Sequence, residues 1–165
     1  MEGIVTNVDT CEEVDIDLER LIEEKVLVQA TNGGGKSYFV RKLCESATKE
    51  NIPQTIIQKD PEFNSLRDKF DYIIVGNKSE GDADIQISLK IAELLAKKML
   101  ELPTMSFILD LSELIVSERK PFVKRFLDEV NSCKKKFWHD RFFILDEAHI
   151  FAPEKGKGKS EALRS

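Results

Sequence analysis

Residues 26–37 read VLVQATNGGGKS. A short apolar run stops at Thr-Asn-Gly-Gly-Gly, and a lysine and a serine follow. KVLVQA (25–30) fits a buried strand: short, continuous and closed by breaker residues. KSYFVRKLCESATKE (36–50) fits a helix, with Phe39, Val40, Leu43 and Ala47 along one stripe. Strand, glycine turn and helix together are the setting of a phosphate-binding loop. Such a loop needs inward-facing backbone N–H groups, which glycine permits. It also needs a helix N-terminus aimed at the anion and a lysine to reach the outer phosphates. Gly33, Gly34 and Gly35 supply the turn, Lys36 falls where β- and γ-phosphates are contacted, and the Ser37 hydroxyl falls where Mg²⁺ is held. The stretch expected to contact ATP is Thr31, Asn32, Gly33, Gly34, Gly35, Lys36, Ser37 and Tyr38. Ala30 occupies the first glycine position of the pattern G-x-x-x-x-G-K-[ST]; it closes the strand, where alanine is tolerated.

Working outward, TIIQ (55–58), YIIV (72–75), MSFILDL (105–111) and RFFILDEAH (141–149) read as four more strands. VDIDLERLIEE (14–24) ends as a short helix. Asp82 to Asp84 offer a cap for a helix over IQISLKIAELLAKKMLEL, which Pro103 closes. Pro121 is expected to open a helix carrying Phe122, Phe126, Val130, Cys133 and Phe137. Trp138 is expected to pack at that helix end beside Phe137, and Phe142 and Phe143 to be core. Apolar strands alternating with amphipathic helices predict an α/β fold, a parallel β-sheet flanked by helices on both faces. Ligands of such sheets bind at the carboxyl ends of the strands. The glycines and the acids of RFFILDEAH both fall at such ends.

An aspartate at a strand tip beside a phosphate loop can hold Mg²⁺, which makes Asp146 the metal candidate. Glu147, next to it, is the catalytic candidate, a general base that polarises the attacking water. Adjacent acids of this kind favour ATP hydrolysis that drives mechanical work. His149 is read as structural. Gln58, Asp60 and Asp110 end other strands on the same edge and are secondary candidates to line the site. A second Gly-Lys-Ser, in GKGKS (156–160), has no strand leading into it. With Lys155, Lys157 and Lys159 it reads as a solvated basic loop.

Bulk composition adds limits. The chain has 165 residues, 25 basic and 30 acidic, for a formal charge of -5, so overall charge does not advertise a nucleic-acid partner. The local basic charge lies in SERKPFVKR (117–125) and CKKKFWHDR (133–141). Cys11, Cys44 and Cys133 have no metal-binding spacing, and reduced thiols in a cytoplasmic protein are the plain reading. No apolar run approaches the ~18 residues of a membrane span.

With these motifs in view, the chain resembles the HerA-like branch of the HerA/FtsK P-loop motor ATPases. VDIDLERLIEEKVLVQATNGGGKS is similar to that branch's lead-in, IIQKDPEFNSL to its second strand, and FILDLSEL and FFILDEAHIFAP to its last strands. Asp60, Pro61 and Glu62 match the Asp-Pro-x-(Gly)-Glu segment without its glycine. The resemblance implies a RecA-like core that hydrolyses Mg-ATP and a homo-hexameric ring that moves DNA. It also implies a nuclease or other effector as partner. It carries Lys36 and Ser37 onto the phosphate lysine and metal hydroxyl, and Asp146 and Glu147 onto the metal aspartate and catalytic glutamate. On this reading residues 1–24 are a lead-in and residues 25–165 an incomplete core that lacks its distal part. Arg164, the one arginine after the acidic strand, is not placed as the finger that reaches a neighbouring subunit. Two other readings stay open: a catalytically weak nucleotide-binding module or regulatory subunit, and a secretion-type ATPase that moves peptide.

Overall fold

The computed structural model describes residues 5–6, 9–14, 16–31, 33–80 and 83–151. Its strands and helices run β1 (Val5–Thr6), β2 (Glu13–Val14), α1 (Leu18–Glu23), α2 (Lys36–Lys49), β3 (Gln54–Gln58), β4 (Tyr72–Gly76), β5 (Ile85–Gln86), α3 (Ala92–Glu101), β6 (Ser106–Asp110), α4 (Val116–Ser132), β7 (Phe142–Leu145) and α5 (Ala148–Phe151). β1 and β2 form a small antiparallel pair. The other five strands make one parallel sheet in the order β5-β4-β6-β3-β7.

Alternation along the strands sorts the apolar side chains to two faces. Ile56, Ile74 and Ile108 lie in register and meet Cys44 of α2 together with Phe63 and Leu66. Their neighbours Ile57, Val75 and Leu109 lie on the other face, against Leu95 and Met99 of α3 and Phe122 and Phe126 of α4. Helices therefore cover both faces, as the periodicity predicts. A third cluster joins Leu18 of α1 to Ala47 of α2 and Phe142 of β7, which seats the lead-in helix beside the edge strand.

Arg141 fastens the amino ends of the strands. It is 9% exposed and donates to the carbonyls of Gln54, Leu102, Pro103 and Met105 and to Thr55 Oγ1. Its burial lowers the guanidinium pKa to about 10.

Several expectations are corrected. KVLVQA (25–30) is not a strand, and Val26 and Leu27 are 59% and 81% exposed. A strand exists by pairing, and residues 25–30 pair with no strand of the sheet. The helix expected after Asp84 starts only at Ala92. Asp84 bonds β4 instead: its amide donates to the Ile74 carbonyl and its carboxylate accepts from the Ile74 amide, which draws Ile85–Gln86 into the sheet. Pro121 lies inside α4, not at its start. The helix begins earlier because Arg119 holds the carbonyls of Ser112 and Leu114 ahead of it. Phe137 falls beyond α4, in a short 3-10 turn over Lys135–Phe137. Trp138 is 50% exposed rather than packed, and Phe143, on an edge strand, is 45% exposed rather than core.

Candidate functional site

Gly33 and Gly35 have φ of 75° and 81°, the left-handed region that side chains disfavour. Gly34 needs its lack of a side chain for another reason. A Cβ there would lie 2.9 Å from the Thr31 carbonyl oxygen, which accepts the Gly34 amide, and 3.1 Å from Ala30 Cβ. Ala30 is not among the described residues of positive φ, so its position makes no demand for glycine. Gly35 caps α2 without a side-chain hydrogen bond, and the first turn of α2 holds no acid. Backbone amides and a positive dipole end of this kind suit an anion.

At the far end of the chain, the Asp146 amide donates to the Ile57 carbonyl and extends the β7 ladder by one bond. Asp146 is 8% exposed. Glu147 has φ 50°, an uncommon backbone state for a residue other than glycine, and it turns the chain into α5. Left-handed backbone costs roughly 1–2 kcal/mol at such a residue.

The structure brings the two motifs together through one side chain. Lys36 Nζ lies 2.8 Å from Asp146 Oδ1 and 2.8 Å from Glu147 Oε1. Both carboxylates raise the ammonium pKa of Lys36. In return the hydrogen bond and charge of Lys36 lower the Glu147 carboxyl below its ordinary range. His149 Nδ1 sits 3.3 Å from Glu147 Oε2 on an exposed side chain.

Ser37 Oγ donates to Glu62 Oε2 at 2.6 Å. The sequence names Glu62 only as the glutamate of the loosely matched Asp60-Pro61-Glu62 segment and gives it no role. Tyr38 does not join the group: it is 66% exposed, with Lys42 Nζ 5.7 Å from its ring centroid. Asn32, and residues 152–165 with GKGKS and Arg164, lie outside the described residues.

The secondary candidates separate. Gln58 is fully buried and holds the loop after β3, accepting from the Phe63 amide and donating to Asn64 Oδ1. Asp110 is buried, accepts from Asn64 Nδ2 and the Ser112 amide, and lines a cavity of about 60 Å³ with Pro61 and Asn77. Asp60 is exposed and pairs with Lys59. A larger apolar cavity, of about 190 Å³, lies at the opposite end of the sheet between Met99, Pro103, Val130, Trp138 and Phe143.

Hydroxyl and carboxylate oxygens are hard donors suited to Mg²⁺. Among the described residues no group of three or more histidines, cysteines or acids is placed to hold a metal by itself.

The sequence profile of the family described as "Helicase HerA, central domain" matches residues 5–144. The chain belongs to the HerA central-domain family. It is a HerA-like member of the HerA/FtsK P-loop ATPases, and its parallel sheet with helices on both faces is consistent with their RecA-like core. No curated protein and no solved structure matches the chain. The HerA profile ends before Asp146 and Glu147, so these acids enter the site on geometry. Among the described residues no helix is long and apolar enough to cross a membrane.

Proposed function

We propose that the chain is the ATP-binding and ATP-hydrolysing core of a HerA-like DNA translocase. One observation carries this reading: Lys36 of the glycine loop touches both acids that end β7, across more than a hundred residues of sequence. A solvated turn has no reason to meet those acids.

On this reading the amides of Gly33 to Lys36 and the Lys36 ammonium bind the phosphates. Ser37 and Asp146 would hold Mg²⁺, which would supply charge neutralisation at the phosphates. Glu147 takes the proton of the attacking water. Lys36 is the main cause of the lowered Glu147 carboxyl, and its ammonium keeps a third N–H for a phosphate oxygen.

DNA as the moved polymer rests on the family and on an exposed run, Lys134, Lys135 and Lys136, beside half-exposed Trp138. Basic side chains next to an aromatic ring suit a nucleic-acid strand. The family also supports assembly into a ring, with a hexamer and an effector partner as the finer reading.

The test is phosphate release from Mg-ATP with and without double-stranded DNA, with Lys36→Ala as the blank. DNA-stimulated release that disappears in the variant supports a DNA motor. Nucleotide binding without release favours the weakly catalytic module, and release indifferent to DNA favours a different polymer.

A further inference from the structure

We propose that Glu62 is the positioning residue for the metal hydroxyl of Ser37; this rests on the phosphate-loop reading above. A serine hydroxyl has one proton and two lone pairs. A cation takes a lone pair, so the proton must go to an acceptor elsewhere. Glu62 Oε2 is that acceptor at 2.6 Å, and the contact leaves both lone pairs of Ser37 Oγ for a cation.

The carboxylate is exposed, but its backbone is anchored from three sides. The next residue, Phe63, is 1% exposed and packs with Ile56, Ile74 and Leu66. The Phe63 amide is held by the buried Gln58 side chain. Arg41, one turn along α2 from Ser37, donates to the Glu62 carbonyl and to Ser65 Oγ. The loop after β3 is therefore pinned both to the sheet and to the helix that carries Ser37. Outer partners of this kind orient a metal ligand, and losing one typically lowers metal affinity about 10–100-fold.

A structural role alone makes a different prediction. If Glu62 only docks its loop on α2, its removal weakens nucleotide binding whether or not magnesium is present. If it orients the ligand, only the magnesium-dependent part changes.

The experiment is titration of a fluorescent ADP analogue, in EDTA and over a range of Mg²⁺, on Glu62→Ala, Glu62→Gln, Ser37→Ala, Lys36→Ala and the Glu62→Ala/Ser37→Ala pair. Glu62→Ala is expected to raise the Mg²⁺ needed for half-maximal binding about 10–100-fold and leave binding in EDTA unchanged or tighter. Glu62→Gln, whose amide oxygen still accepts the bond, stays within about threefold of the parent. Ser37→Ala reproduces the loss, and Glu62→Ala adds nothing to it. An unchanged Mg²⁺ requirement in Glu62→Ala, an equal loss in EDTA, or additive losses in the pair would overturn the proposal. Parent-like binding by Lys36→Ala would instead overturn the phosphate-loop reading beneath it.

Discussion

Without nucleotide, Lys36 serves as the counter-charge of the acidic strand end, so its removal is expected to destabilise the fold before any catalysis is measured. Lys36→Met keeps most of the stem and deletes the ammonium. Asp146, 8% exposed, then loses a charged hydrogen bond of 2.8 Å, a type of bond worth about 1.5–3 kcal/mol. The Glu147 arm is 37% exposed and adds little after solvent screening, about 0.5 kcal/mol or less. The sum is about 2 kcal/mol, or a fall in Tm of roughly 4–8 °C for a chain of this size. The sign of the pH dependence follows from Glu147. Its carboxyl is held low by Lys36 in the fold, so the pair's contribution is fully present above the ordinary carboxylate range. It is lost as pH falls through the lowered value. Urea melts of parent and Lys36→Met from pH 7.5 down to pH 3 read this: the Glu147 share of the gap, about 0.5 kcal/mol or less, should fade only as pH falls below the ordinary carboxylate range. Adding Asp146→Asn to Lys36→Met should recover about half of the loss, because the stranded charge is gone. A parent-like melt for Lys36→Met at neutral pH would refute the reasoning.

Other expectations follow from particular positions. Gly34→Ala puts a methyl against the Thr31 carbonyl and Ala30, so nucleotide affinity should fall more than about tenfold with a small change in Tm; an unchanged affinity in a binding titration would mean the loop does not hold this shape. Leu27→Ser should stay within about 0.5 kcal/mol of the parent in urea melts, because Leu27 is 81% exposed. A loss above that would restore KVLVQA as a buried strand. Leu109→Ala, at a position with no exposure, should cost about 2–5 kcal/mol by the same measurement, and a milder effect would contradict the packing of α3 and α4 on the sheet. Cys44, whose thiol pKa is pushed up to about 12 by burial, should resist alkylation at pH 8 while exposed Cys11 reacts; mass spectrometry of the labelled chain separates them.

The runs that read as strands and proved correct share one property: their alternate residues are apolar on both faces. Ile56 and Ile57, or Ile108 and Leu109, need cover on two sides, and only a central parallel strand provides it. KVLVQA has the same local pattern, but pairing is a tertiary fact that local pattern does not carry. Ile85–Gln86 failed in the opposite sense. It is a two-residue exposed edge strand held by Asp84, and its sequence reads more naturally as the approach to a helix. In the site, glycine and lysine types announced the loop, and the pair Asp146-Glu147 announced its counterpart. Glu62 was named only through the resemblance; its contact with Ser37 was not legible because it depends on a loop folding back on α2, which Phe63, Gln58 and Arg41 bring about from separate parts of the chain.

The central claim is that Lys36 and the acids of β7 build a phosphate site. Calorimetric titration of the chain and of Lys36→Ala with a non-hydrolysable ATP analogue in the presence of Mg²⁺ tests it most directly. Saturable binding by the parent that weakens at least tenfold in Lys36→Ala is the expected result. No binding by the parent, or equal binding by both, would contradict the account.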